Sequence, residues 1–399
     1  MTTADLHMNE EQGVSEARSE SYQEYDEVST GIDNAAIRHE SSAQTAELPG
    51  RTTVQGLRVY VGMSGGVDSS LTAALLVEQG YDVTGVYMKN WTQDMPGLKC
   101  PWADDLADAK RVAVHLGINF EVFDFENEYK HKVVDYMIEE YIAGRTPNPD
   151  IMCNQEVKFR LFLDAALEHG ADMIATGHYA RVEDGVLKMA ADSNKDQTYF
   201  LYRVTGEALQ KTLFPLGEFT KPEVRKMAEE RGLTTAAKPD SQGICFVGQI
   251  GIRDFLSQYV EQTPGAIVDK QTGEKVGTHD GAIFYTLGQR HGLDVGGGLP
   301  YYVVGKDMDK NEVYVSRDLG DESLWRHDIP LTAIHWINGN PADGNYQIRV
   351  RHRAPLVAAR LSGDTLHLDE PQRAVAAGQS IVIYDGDVCV GGGSALLKC

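Results

Sequence analysis

Two of the five cysteines in this 399-residue chain stand out by their neighbours. Cys153 follows Gly144-Arg145-Thr146-Pro147-Asn148-Pro149-Asp150, in which two prolines enforce an extended approach to a helix expected to begin near Asn154. At a helix N-terminus, the dipole and Lys158 favour the thiolate of Cys153, while Asp150 opposes it or acts as a local acid or base. Cys245 sits in Asp240-Ser241-Gln242-Gly243-Ile244-Cys245-Phe246, a glycine-containing stretch with apolar neighbours. Taken singly, either cysteine is read at least as well as inert packing.

The second reactive feature is Ser64-Gly65-Gly66-Val67-Asp68-Ser69-Ser70, directly after the apolar run ending in Gly62-Met63. Glycines let backbone amides turn inward, three serines add hydroxyls, and a following helix adds its positive end, so the loop suits a phosphate. It has no lysine and lacks the Walker spacing, which disfavours ordinary γ-phosphoryl transfer, and it is not the glycine pattern of a dinucleotide fold. The bland alternative is a tight turn with Asp68 as helix cap.

The elements that must position these residues alternate. A strand at 57–61 and a helix from Asp68 to Gly80 precede a strand at 83–88. Helices follow near 104–116, 128–142 and 154–168, with strands near 120–123 and 173–176. This is an α/β domain with a parallel sheet covered by helices. Beyond about residue 250 come short runs set off by Gly, Asp and Asn: 282–285, 301–304, 312–315, 347–353, 366–368 and 380–384, all expected as strands. The chain therefore divides into an extension at 1–56, a phosphate-loop domain at 57–252, a small β-rich domain at 253–329, and a C-terminal β-barrel at 330–399, with a seam at Pro330.

Composition narrows the setting. The formal net charge is −22, which argues against indiscriminate coating of nucleic acid or anionic membrane. Residues 1–56 hold eleven acidic residues and three arginines, without apolar periodicity, and read as a disordered extension. No apolar run approaches membrane-spanning length and no leader pattern is present, so a cytoplasmic protein without a membrane partner is expected. The odd number of cysteines is no disulfide scaffold.

The motifs SGGVDSS, TPNPDIMCN, TGHYAR, SNKDQTYFLY, FPLGEFTKPEVRKMA, DSQGICFVG and YTLGQRHGL, in this order, resemble the bacterial tRNA-specific 2-thiouridylases of the PP-loop ATP pyrophosphatase superfamily. The resemblance spans about residues 57–395 and implies an adenine nucleotide alpha hydrolase-like domain. It also implies ATP-dependent exchange of the C2 oxygen of the wobble uridine for sulfur, with AMP and pyrophosphate as by-products. Under it, Gly62, Met63, Ser64, Gly65, Gly66, Val67, Asp68, Ser69, Met88 and Gly177 contact ATP. Cys153 is the nucleophile, Cys245 carries the persulfide, and the two end a turnover as a disulfide. Asn148, Pro149 and Asp150 surround the target base, while His178, Lys195, Asp196, Gln197, Arg351, His352 and Gln379 touch the tRNA. Magnesium accompanies ATP, with ligands unassigned and Asp68 a weak candidate, and a persulfide-relay protein supplies sulfur.

The chemistry agrees with the resemblance. A uracil C2 oxygen is a poor leaving group until AMP is attached, and sulfur then arrives either as terminal persulfide or as sulfide released by Cys153. Arg349, Arg351 and Arg353 alternate, so a strand would aim all three at RNA, in a segment, 345–362, with four arginines and no acid. Lys221, Arg225 and Lys226 offer a second basic contact on a helix. Two other readings use parts of the pattern: an amide-forming or argininosuccinate-type ligase needs the loop but neither cysteine, and a redox-responsive RNA-binding protein needs no ATP.

Overall fold

The computed structural model describes residues 56–94, 100–240, 251–293, 295, 296 and 298–397. Residues 1–55, Cys245 and Cys399 lie outside them. In the first half, the strands are β1 (Arg58–Gly62), β2 (Asp82–Lys89), β3 (Asn119–Asp124), β4 (Met173–Ala175), β5 (Arg181–Glu183), β6 (Val186–Lys188) and β7 (Thr212–Leu213). Five form a parallel sheet in the order β3-β2-β1-β4-β7. Strand β1 is covered on both faces, Val59 and Val61 at 0 % exposure and Tyr60 at 7 %, which is why it reads as a continuous apolar run. Its neighbours β2 and β4 lie on opposite sides, so a crevice opens beyond its carboxyl end, the usual ligand position in such sheets.

Helix α1 (Val67–Glu78) leaves that crevice, and α2 (Trp102–Leu116) ends on Gly117 in the left-handed conformation, φ 68°. Two longer helices, α3 over 126–142 and α4 over 149–168, each widen to π geometry in the middle, at Lys130–Asp135 and Cys153–Leu161. The expected helix start near Asn154 is corrected: α4 begins at Pro149, with the Asn148 side chain accepting from the Asp150 amide at 3.1 Å. Asn at the cap and Pro in the first turn are the stronger start signal. Cys153 therefore sits one turn inside the helix, where the π segment opens.

Strands β8 (Gly265–Asp269), β9 (Lys275–His279), β10 (Tyr302–Asp307) and β11 (Glu312–Ser316) make a separate sheet, ordered β10-β11-β8-β9. Residues 282–285, expected as a strand, instead form a 3-10 turn, Ala282–Phe284, whose Ala282 and Tyr285 pack against Ile267, Val303 and Val313. Buried apolar spacing alone does not separate such a turn from a strand.

Strands β12 (Trp325–Trp336), β13 (Gly344–Arg349), β14 (Val357–Ser362), β15 (Thr365–Arg373), β16 (Ser380–Asp385) and β17 (Val388–Ala395) form an antiparallel barrel closed by pairing of β12 with β17. Pro330 is not a seam: it lies inside β12, opposite Thr365, and its carbonyl accepts from Leu396 at 2.8 Å. The β5–β6 hairpin adds to β17 through Lys188 and Val388, tying the first half to the barrel. The arginine ladder is also corrected. Strand β13 stops at Arg349, a turn closed by Ala354 N–H to the Arg351 carbonyl follows, and Arg353 has φ 62°. Arg349 points inward at 8 % exposure, while Arg351 and Arg353 stand exposed on the turn.

Candidate active site and nucleic-acid interface

The glycine loop lies in the crevice at the end of β1. Gly66 precedes α1, and no side chain caps the helix, so its first amides point toward the crevice without a side-chain acceptor. The cap alternative for Asp68 fails, because its carboxylate is held by Lys221 Nζ at 2.7 and 2.8 Å and by Tyr179 Oη at 2.9 Å. Ser69 Oγ accepts from the Ser64 amide at 3.1 Å and donates to the Gly66 carbonyl at 3.2 Å, bracing the loop from within. Gly65 has φ 73°, and a Cβ there would stand 2.3 Å from the Asp105 carbonyl oxygen, so only glycine lets the loop lie on α2. Met88 packs beneath, its Cε 2.9 Å from where a Gly62 Cβ would be.

Gly177, beyond β4, closes the other side. A Cβ on it would stand 2.8 Å from both Asp68 C and Ser69 N. Gly177→Ala is therefore expected to push the phosphate loop out of register. ATP turnover should fall roughly 10²-fold, the scale of a 1 Å misplacement, with a weaker ATP titration in equilibrium binding. Unchanged ATP binding would show that Gly177 only packs.

Lys221, expected on an RNA-facing helix surface, is instead 8 % exposed at the start of α5 (Lys221–Glu230), bridging Asp68 and Asp240, the latter at 2.8 Å. A cation at a helix N-terminus opposes the dipole, and the two carboxylates offset that cost. Arg225 is also turned inward, to Asp240 at 2.6 Å and the carbonyls of Ala236 and Lys238. The placement was encoded in Thr220-Lys221-Pro222-Glu223, a capping box with proline that fixes where the helix begins. Burial raises the Asp240 carboxyl, but Lys195 at 2.6 Å and Lys221 outweigh it and hold it at about 2. Lys238 was missed: its ammonium donates to the Gly65 carbonyl at 3.0 Å and pairs with Asp105 and Asp108 at 2.7 and 2.6 Å. A lone lysine near a proline carries no signal for that position.

Asn148, Arg351, His352 and Gln379 come together with Thr146 and Pro147 on a cavity of about 530 Å³. Its far wall is the turn Thr286–Gln289 from the segment that holds β8–β11, so three parts of the chain contribute. Gly288 makes that junction: φ is 81°, and a Cβ would approach Ala374 Cβ to 2.5 Å. Cys153 is buried among apolar side chains of the first domain, on the helix that Asn148 caps. His178 and the Lys195–Gln197 run do not line this cavity. His178 is buried, its Nδ1 2.7 Å from Thr176 Oγ1, and burial together with Lys158 pushes its pKa well down. Asp196 is 2 % exposed and bound to Arg349, Thr198 and the Ala190 amide, so its carboxylate braces the protein rather than facing outward. Gln197 accepts from the Tyr179 amide at 2.9 Å.

His352 packs on Phe200 with ring centroids 4.4 Å apart, and its pKa is depressed to about 4 by burial and by Arg353. A folded pKa below the free value means stability is full above about 6.5 and is lost as pH falls toward 4. The ring is therefore neutral at neutral pH. Its NMR titration should stay flat from pH 7.5 to about 5, whereas a midpoint near 6.5 would show a solvated ring.

A parallel sheet whose uncapped glycine–serine loop lies at the switch point, with no lysine of its own, defines an α/β domain with a phosphate-type loop. The family models agree: residues 57–249 match a "tRNA methyl transferase HUP domain", 253–317 a "tRNA methyl transferase PRC-barrel domain", and 326–395 an "Aminomethyltransferase beta-barrel domain". The chain is 47 % identical over 354 residues to the "tRNA-specific 2-thiouridylase MnmA" of Lacticaseibacillus paracasei, covering 85 % of this chain and 94 % of that one. It is 46 % identical over 347 residues to the protein of the same name from Bacillus thuringiensis strain Al Hakam, covering 84 % and 93 %. The chain belongs to the tRNA-specific 2-thiouridylase family.

Proposed function

We infer that this protein catalyses ATP-dependent 2-thiolation of tRNA at the wobble uridine, in the cytoplasm. The observation that carries the reading is a phosphate-binding loop in the same fold unit as a cavity where Asn148, Arg351, His352 and Gln379 meet, beside the helix that bears Cys153. The phosphate loop would hold the β and γ phosphates on the uncapped amides of α1 while the C2 oxygen attacks the α phosphorus, releasing pyrophosphate. AMP then leaves with the C2 oxygen as sulfur bonds to C2.

Sulfur arrives from a Cys245 persulfide loaded by a donor protein: either its terminal sulfur attacks C2 and Cys153 then attacks Cys245 Sγ to release the 2-thiouridine, or Cys153 attacks Cys245 Sγ first and frees sulfide, which attacks C2. Both routes leave a Cys153–Cys245 disulfide, which an external thiol reductant must reopen. Asp150, in the first turn of α4, would serve as acid or base toward the target uracil. Magnesium would enter with the phosphates: no group of three or more ligating side chains exists among the described residues, and Asp68 is engaged by Lys221. No helix of the described residues is long and apolar enough to cross a membrane. We place the seam between the last two domains after β11 and before β12.

The test incubates protein, ATP, magnesium, sulfide and unmodified tRNA, then digests the RNA. A sulfur-for-oxygen mass shift in uridine, distinct from methyl addition, supports the reading. No shift with sulfide or with a persulfide donor overturns it.

A further inference from the structure

The cavity carries one positive charge, Arg373, beyond the assigned Arg351. Among its lining residues are two arginines, Arg351 and Arg373, and no aspartate or glutamate, in a chain of net charge −22. Neither arginine has a carboxylate within ion-pair distance among the described residues, whereas Arg349, on the same barrel, is paired with Asp196. Arg351 donates to the Ala374 carbonyl, which anchors it against the residue after Arg373. Arg373 lies over the Tyr302 ring, with its guanidinium carbon 5.0 Å from the centroid. Its Nε and Nη2 are buried and have no hydrogen-bond acceptor among the described residues.

Two adjacent donors, Nε and one terminal nitrogen, form the edge of a guanidinium that can meet two oxygens of a phosphate at once; that edge is covered here, so it reaches a phosphate when the side chain turns as RNA binds. Leaving charged donors buried and unpaired is costly, so the arrangement calls for an anionic partner. We propose that Arg373 binds a backbone phosphate of the RNA beside the target nucleotide, with Arg351 as its neighbour. The polar wall of Asn148 and Gln379 is then left to the base. This rests on the tRNA-thiolating reading above and adds a residue and a contact type to it. Tyr302 makes the contribution of the β8–β11 domain specific: its ring holds Arg373 beside the cavity until RNA arrives.

The test measures the affinity of unmodified tRNA for the full chain across a salt series, for wild type, Arg373→Gln and Arg373→Lys, with Lys310→Gln as an exposed control. Loss of one phosphate contact should weaken binding by about tenfold near 0.1 M salt and reduce the slope of log affinity against log salt by about 0.7 to 1. Arg373→Lys should restore most of the slope but not the full affinity, because the charge returns without the planar fork. Lys310→Gln should leave the slope unchanged. ATP affinity, measured in parallel, should be the same in all four proteins, which separates an RNA phosphate from a nucleotide phosphate. An unaltered slope in Arg373→Gln, with or without a drop in affinity, overturns the proposal and leaves Arg373 a packing residue on Tyr302. If wild type itself fails to bind tRNA, the functional reading fails instead.

Discussion

Cys153→Ser is expected to lower tRNA thiolation by roughly 10³-fold or more, the scale seen when a nucleophile that acts as part of a unit is removed. Serine is close in volume but brings a hydroxyl into a buried apolar site, so the variant should stay folded while losing roughly 1 to 3 kcal/mol of stability. What is lost is a soft sulfur able to attack a persulfide: a hydroxyl does not break a sulfur–sulfur bond under these conditions. ATP binding should persist, because the loop's own bracing runs through Ser64, Gly66, Ser69, Asp68 and Lys221, none of which depends on Cys153. The decisive measurement is a single turnover with unmodified tRNA, following thiolated product and pyrophosphate separately. Pyrophosphate released without product would place the block after activation. Full turnover in Cys153→Ser would remove the cysteine from the reaction and favour a ligase that uses the same loop.

Much of this was legible in the sequence where the signal is local. The run through Val59 and Val61 into a glycine turn specifies a buried strand and the loop after it, because both depend on residues adjacent in the chain. Glycines 65 and 177 could be flagged by motif, but why they must be glycine depends on Asp105 in one case and the Asp68–Ser69 backbone in the other. Those partners are distant in sequence. Charged residues misled for the same reason. Arg349 alternates with Arg351 and Arg353 on paper, yet the strand ends beside it, and its partner is Asp196 on another domain. Lys221 likewise looked like surface charge, and its two carboxylates come from opposite ends of the first domain. A pattern rule reads the face a side chain occupies only while the element continues, and it does not see ion pairs across domains. Motifs named Asn148, Arg351, His352 and Gln379 one by one, but not that they meet, since the cavity walls come from segments distant in the chain.

Arg349→Met is expected to destabilise the protein by about 3 to 5 kcal/mol, because it strands the Asp196 carboxylate without its cation. The two side chains are 9 % and 1 % exposed, so solvent screens them little. Asp196 also accepts from Thr198 Oγ1 at 3.0 and 2.9 Å and from the Ala190 amide at 3.1 Å, and these bonds hold it in place. Arg349 in turn lies over the Tyr384 ring, 5.4 Å from its centroid, and Tyr384 Oη is 3.2 Å from Thr198 Oγ1. The pair therefore fastens the Lys195–Gln197 run to the strand that leads into Arg351 and His352. Urea unfolding followed by two probes, one in each domain, should show the barrel separating earlier in the variant than in wild type. Arg349→Met with Asp196→Asn should recover part of the loss, since the uncompensated charge is gone while an acceptor for Thr198 remains. tRNA affinity should fall in the single variant even though Arg349 is buried, because the turn bearing Arg351 and His352 loses its anchor. Equal stability in the single variant and wild type would mean that the barrel is held by its apolar core and the β5–β6 hairpin alone.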